Sequence, residues 1–182
     1  TGVHQGELGT SAIVRGIAAR FKEKGIEIGG FDAYCTSDVI CGGGISSSAA
    51  FEMLICTVID EHYNKEKSSA LEMARIGWFA ETTYFGKKCG LLDQTVSAFG
   101  GLVGIDFSDV ANPIIEKIDY DFSQSGYTLC ITDTKSSHED LTDDYVAIRE
   151  EMEAIAAFFG KKVLSQVDEA KFYESISELR QK

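Results

Sequence analysis

The sequence lacks the residue patterns of several common functional classes. Its five cysteines stand at irregular spacings without a Cys-x-x-Cys pair, which argues against a disulfide framework or zinc site and is typical of a reducing cytoplasm. No long apolar run predicts a membrane-spanning helix. Only 17 Lys and Arg oppose 29 Asp and Glu, and the net charge of −12 argues against nucleic acid or an anionic membrane as a partner. A phosphate ligand remains compatible with this charge if a metal ion supplies local positive charge.

The length and composition are those of a globular protein that can bury a real core. The chain has 182 residues, enough for one domain or for one domain and part of another. It is 44% hydrophobic and 25% charged. It starts at Thr1, in what reads as the lead-in to a helix, and we expect it to be a piece of a longer protein.

Hydrophobic periodicity predicts an α+β fold, because helices come in runs rather than in strict alternation with strands. No internal repeat or low-complexity segment is present, and the best candidate for a change of domain is 108–125. The predicted helices cover 10–21, 47–63, 68–84, 93–99, 142–159 and 168–180. The predicted strands lie in 26–40, 102–107, 114–120 and 127–133.

The most informative segment is Gly42–Ala50, where glycines and serines run into an apolar helix. Glycines allow backbone amides to approach a ligand closely, and a helix N-terminus attracts anions, so the segment predicts a phosphate cradle. It is not a P-loop, because no lysine follows, and it lacks the third glycine of the Rossmann turn. Ser48 replaces the last glycine of a hydrolase Gly-x-Ser-x-Gly turn. Taken alone, the loop could also simply cap a buried helix.

Two acidic residues are candidates for chemistry. Glu81 continues the apolar stripe of its helix and should point inward, where a divalent cation would offset the cost of a buried carboxylate. Ser48 and Glu81 could supply the one or two protein oxygens that magnesium prefers. Alternatively, Glu81 reaches solvent at the helix end. Asp93, beside Gln94, either caps a helix or orients a sugar hydroxyl during phosphoryl transfer.

A polar stretch from Asp133 to Tyr145 follows a predicted strand and leads into a helix. Carboxylates at a strand end can hold sugar hydroxyls. Tyr145 shares a helical stripe with Ile148 and Met152, which favours a role as a core anchor with an exposed hydroxyl. His138 has no metal-ligand or triad spacing and reads as a loop residue.

Together these segments resemble the GHMP small-molecule kinases, and within them the galactokinase branch. Gly44–Ala50 reads Gly-Ile-Ser-Ser-Ser-Ala-Ala, which is similar to the second family motif. The element Gly90–Gln94 contains Asp93, and Glu81 stands twelve residues before that aspartate, which is similar to the galactokinase spacing. Ala98–Gly100 and the stretch from His138 to Tyr145 match later galactokinase elements in the same order.

The resemblance implies roles for these residues. The amides of the loop would hold the phosphates of ATP, Ser48 and Glu81 would bind magnesium, and Asp93 would contact the hydroxyl that is phosphorylated. Tyr145 would help to hold the sugar, and the reaction would transfer the γ-phosphoryl group of ATP to C1 of galactose. Asp93 would either remove a proton or only orient the hydroxyl. The implied phosphate-binding residues are Gly42, Gly43, Gly44, Ser46, Ser47 and Ser48.

The resemblance also implies a fold. Residues 1–125 would be most of an N-terminal ATP-binding domain similar to the second domain of ribosomal protein S5, and 126–182 would begin a C-terminal domain. The first family motif, with its catalytic arginine, and the late glycine-rich motif are not in the sequence, so we expect little turnover from these 182 residues alone. Asp133 stands where an asparagine is usual. Two alternatives stay open: another sugar-1-kinase acting on an N-acetylhexosamine or a uronic acid, and a non-catalytic galactose and ATP sensor.

Overall fold

The computed structural model describes residues 9–41, 43–132 and 142–179. Helices and one two-stranded sheet make up this part of the chain, which agrees with the predicted α+β class. The helices are α1 Thr10–Glu23, α2 Ser47–Tyr63, α3 Ala70–Phe79, α4 Leu92–Phe99, α5 Thr142–Phe158, α6 Glu169–Glu174 and α7 Ile176–Leu179. A π-helical segment, Ala80–Phe85, continues α3, and short 3-10 turns cover Phe122–Gln124 and Leu164–Gln166. The strands are β1 Val103–Asp106 and β2 Ile114–Lys117, which pair with each other.

The chain forms two compact units. The first lies within Thr1–Val103 and Lys117–His138, and the second within Gly104–Glu116 and Glu139–Lys182. The first unit holds α1 to α4, and the candidate residues between positions 43 and 93 lie in the loop before α2, on α2, in the π-helical segment and on α4. The second unit holds α5 to α7.

The core of the first unit is helical. Ile17 and Phe21 of α1 and Ile59 of α2 are fully buried in one apolar cluster. Helix α1 crosses the π-helical segment at Gly16, where an added Cβ would lie 2.8 Å from Ala80 Cα. This close approach fixes the position of the π-helical segment, and therefore of Glu81, which belongs to it.

Local sequence signals account for the helix bounds. Helix α2 begins and ends where the pattern predicts, at Ser47 and Tyr63. Helix α3 starts with a capping box in which the Ser69 side chain accepts from the Glu72 N–H, while the Glu72 side chain accepts from the Ser69 N–H. The two hydrogen bonds of this capping box satisfy backbone N–H groups that the start of a helix leaves unpaired.

Two predicted strands are wrong within the described residues. Residues 26–40 form neither helix nor strand, and although Ile26 and Ile28 pack on the helical core, no described strand pairs with the segment. Residues 127–132 also pair with no described strand, and position 133 lies outside the described residues. Strand propensity measures how well a side chain fits a pleated surface. A β-strand also needs a neighbouring strand to which its backbone can hydrogen-bond.

The second unit departs from the pattern in two ways. Ile148 and Met152 of α5 are exposed, so the predicted core stripe is wrong at these two positions. The predicted last helix is broken at Ser175, whose φ of −93° and ψ of 0° leave the helical region. Among the helices of the described residues, none is both long and apolar enough to cross a membrane.

Candidate active site

The glycine-serine loop leads directly into the first turn of α2. Gly43 and Gly44 are exposed, whereas Ser46, Ser47 and Ser48 are half-buried. Ser46 is the N-cap and adopts a left-handed conformation with φ 61° and ψ 41°, which is unusual for a residue with a side chain. The Ser46 side chain makes no capping hydrogen bond. The first N–H groups of a helix have no partner inside it, so this turn is suited to receiving an anion.

Glu81 lies inside the first unit, as its place in the helical stripe predicts. It is 3% exposed. Its Oε1 accepts a hydrogen bond from Lys87 Nζ at 3.1 Å. Its Oε2 accepts from Cys89 Sγ at 3.1 Å and from Gln94 Nε2 at 2.7 Å. The alternative that Glu81 reaches solvent at the end of its helix is therefore wrong.

Gln94 joins Glu81 to helix α2. Its Nε2 donates to Glu52 Oε2 at 3.0 Å as well as to Glu81 Oε2. Gln94 and Glu52 are both buried. Gly77 makes room for this contact, because a Cβ there would lie 3.0 Å from Glu52 Oε2 and 2.6 Å from Met53 Cε. The side-chain oxygens and nitrogen of three helical segments thus meet in one buried cluster.

Burial controls the protonation of this cluster. Burial of the Glu52 carboxyl, together with the nearby charge of Glu81, raises the pKa of Glu52 to about 8, although hydrogen bonding by Gln94 opposes the shift. Glu52 is therefore mainly a neutral acid at pH 7. Burial alone would lower the pKa of Lys87, but the charge of Glu81 and the hydrogen bond to it hold that pKa above its ordinary value. Burial and the charge of Glu81 raise the pKa of the Cys89 thiol, so Cys89 stays a hydrogen-bond donor.

Three of the predicted site residues belong to the segments that this cluster joins. Asp93 is exposed and immediately precedes Gln94 in the first turn of α4. Ser48 lies four residues before Glu52 on α2, and residues at this spacing share one helix face. Gln94 links Glu52 to Glu81 directly. Glu81 thus contacts the Gln94 amide directly, Asp93 is the residue before Gln94, and Ser48 lies four residues before Glu52.

The other sequence-predicted residues lie in the second unit or outside the described residues. Tyr145 belongs to α5 in the second unit, and its side chain lies outside the described residues. Gly42, Asp133 and His138 also lie outside the described residues. Trp78 of α3 is 37% exposed. Its indole Nε1 donates to the Cys89 carbonyl at 3.0 Å and ties the loop before α4 to α3.

Sequence reasoning missed Glu52 and Lys87. Glu52 is the one acidic residue in the apolar part of α2 from 49 to 59, and this isolated charge was an available signal. Gly77 was a second signal, since a glycine inside a helix usually has a packing reason. Nothing in the sequence pattern indicates that Lys87 folds back onto Glu81.

Comparison with known proteins places the chain in a family. Residues 12–101 match the model of the family described as GHMP kinases N terminal domain. A galactokinase of Glaesserella parasuis serovar 5 (strain SH0165) is 36% identical over 174 residues, which is 92% of this chain and 43% of that protein. A galactokinase of Actinobacillus pleuropneumoniae serotype 3 (strain JL03) is 35% identical over 168 residues, with the same two coverages. A galactokinase of Thermotoga neapolitana is 29% identical over 157 residues, which is 85% of this chain and 43% of that protein.

The chain belongs to the GHMP kinase family, and residues 12–101 carry its N-terminal domain. The relatives described above are galactokinases, and the chain spans 43% of their length. The family resemblance stated from the motifs is therefore confirmed.

Proposed function

We propose that these 182 residues are part of an ATP-dependent sugar kinase that phosphorylates galactose at C1. The observation that carries the proposal is the Gln94 amide, which joins Glu81, the first turn of α4 with Asp93, and α2 one turn beyond Ser48. The similarity to galactokinases over most of the chain supports galactose as the acceptor and ATP as the donor. The acidic charge of the chain makes nucleic acid and membrane improbable partners, and we propose a cytoplasmic location.

Phosphoryl transfer needs positioning and charge neutralisation more than covalent chemistry from the protein. In the proposed reaction the C1 hydroxyl oxygen bonds to the γ-phosphorus, the hydroxyl proton passes to Asp93 or to water, and the bond from that phosphorus to the β-γ bridging oxygen breaks to leave ADP. The amides of 42–48 hold the phosphates at the start of α2. Asp93 accepts a hydrogen bond from the attacking hydroxyl and orients it, and Tyr145 helps to hold the sugar.

The donor set fits a magnesium ion held by Ser48 and Glu81. Among the described residues, no group of three or more His, Cys, Asp and Glu side chains could hold a metal. Magnesium takes only one or two protein oxygens when phosphates and water complete its shell. Glu81 Oε1 accepts from Lys87, and a carboxylate oxygen has two lone pairs, so it retains capacity for a cation. When bound, the ion would neutralise charge on the phosphates.

The fold assignment can be taken one step further as part of the proposal. Residues 1–125 form the N-terminal domain, with an arrangement like the second domain of ribosomal protein S5, and 126–182 begin the C-terminal domain. The match of residues 12–101 to the N-terminal domain family supports the first part.

The test is ADP release with ATP and sugar, measured on a polypeptide that contains this sequence at the length of its relatives. Galactose should be phosphorylated at C1, and an N-acetylhexosamine and a uronic acid should react far more slowly. Preference for either of those sugars would correct the substrate, and binding of galactose and ATP without turnover would establish the sensor instead.

The residue-level test is Asp93→Ala. We expect turnover to fall about 10²–10⁴-fold, while ATP affinity changes by about threefold or less. Asp119→Ala removes an exposed aspartate outside the cluster and serves as the matched control. Equal losses of turnover and ATP affinity in Asp93→Ala would remove Asp93 from its proposed role.

A further inference from the structure

Glu52 is a buried acidic residue that has no role in the reaction proposed above. It is completely buried in α2 among apolar side chains. Its Oε2 accepts from Gln94, and its place opposite Gly77 leaves no room for a side chain on α3. The same Gln94 nitrogen contacts Glu81 at 2.7 Å. Glu52 is therefore the innermost member of a chain of contacts that ends at the proposed magnesium ligand.

The local packing gives Glu52 no evident reason to be acidic. Within the described part of the chain, Glu52 Oε1 and Gln94 Oε1 have no hydrogen-bond partner. A buried polar atom without a partner destabilises the folded state, so an apolar side chain of similar size would suit the core better. Residues that break a local packing rule in this way are expected at functional sites.

The remaining contacts of Glu81 come from a less buried side. Lys87 is 40% exposed at its side chain, and Cys89 is half-buried in the loop before α4. The Gln94 contact, in contrast, is fixed from behind by Glu52, because both residues are enclosed by helices.

We propose that Glu52 is a positioning residue, which acts through the Gln94 amide to hold the Glu81 carboxylate and the first turn of α4 in one fixed arrangement. This inference rests on the proposed function, since it assigns a role in presenting Glu81 and Asp93 to the phosphates and the sugar. Glu52 itself contacts neither substrate. Replacement of such an outer partner typically costs about 10–100-fold in metal affinity or activity.

The experiment compares Glu52→Leu with Glu52→Gln in the full-length kinase. Glu52→Leu keeps the volume but removes the acceptor for Gln94, and we expect kcat to fall about 10–100-fold and the magnesium requirement to rise, with the galactose KM little changed. Glu52→Gln keeps an oxygen acceptor and should recover most of kcat. Ile59→Ala is the control, because it removes buried volume from the same helix without touching the cluster.

A second variant guards against a failure of Glu52→Leu to fold. Gln94→Met removes both hydrogen bonds at once and should lower kcat to a similar degree. Because the two residues act in series, the double variant should be no worse than either single one, whereas independent losses would multiply. Multiplied losses would overturn the proposal.

The outcomes separate this inference from the proposed function. Turnover and magnesium dependence in Glu52→Leu that match those of Ile59→Ala would refute the positioning role alone. A wild-type protein that binds neither ATP nor galactose would refute the proposed function, and this role with it.

Discussion

Glu52 should make the folded state less stable as the pH rises. Its pKa is about 8 in the folded protein, against an ordinary value of 4.5. Because the folded state binds this proton more tightly than the unfolded state does, protonation stabilises the fold. The contribution is complete below pH 4.5 and is lost progressively as the pH rises through 8.

The size of the effect follows from the shift. Each pKa unit corresponds to about 1.4 kcal/mol of free energy. With the two pKa values above, the free energy of unfolding should fall by about 2.5 kcal/mol between pH 5 and pH 7, and by about 4 kcal/mol between pH 5 and pH 9. These are large changes for a protein whose net stability is about 5–15 kcal/mol.

The assay is urea unfolding of the 182-residue chain and of Glu52→Gln at pH 5, 7 and 9, followed by the fluorescence of the one tryptophan, Trp78 of α3. Other titrating groups act in both proteins, so the difference between the two unfolding free energies isolates Glu52. Glu66→Gln, which removes an exposed carboxylate, controls for the loss of a charge. A difference between the chain and Glu52→Gln that does not change with pH would refute the reasoning.

Three further results are expected. Gly16→Ala should destabilise the chain by about 1–3 kcal/mol in urea unfolding, because the new Cβ meets the backbone of Ala80 at 2.8 Å, whereas Gly30→Ala, which has open space, should be neutral or slightly stabilising. Ser69→Ala should cost about 1 kcal/mol in the same measurement through loss of the α3 cap, and an unchanged midpoint would contradict that assignment. Glu81→Gln in the full-length kinase should raise the magnesium concentration for half-maximal turnover about tenfold or more, and an unchanged titration would remove it from the metal site.

Helix positions were predictable because their signals are local. The segment 47–63 is a mostly apolar run that directly follows the glycine-serine loop, and the capping residues of α3 stand at its start. The inward orientation of Glu81 followed from helical periodicity, since it continues the buried face through Ala74 and Gly77. Such features depend only on residues within one or two turns.

Strand positions were less predictable because pairing is not local. The apolar and β-branched residues of 26–40 fit an extended chain, and Ile26 and Ile28 do pack inward. Whether an extended segment joins a sheet depends on a partner strand elsewhere in the protein. Of the predicted strands in the described residues, only those around β1 and β2 have one another as neighbours.

The amino-acid sequence by itself determined the family, the bounds of α2 and the identity of the loop at its start, because these signals lie in neighbouring residues. Only the tertiary structure decided that Glu52, Glu81 and Gln94 meet, since they lie up to 42 positions apart and no spacing rule connects them. Packing three helical segments together excluded water from these side chains. The Gln94 amide donates hydrogen bonds to both carboxyl groups, and the exclusion of water raises the pKa of Glu52, so that Glu52 keeps its proton.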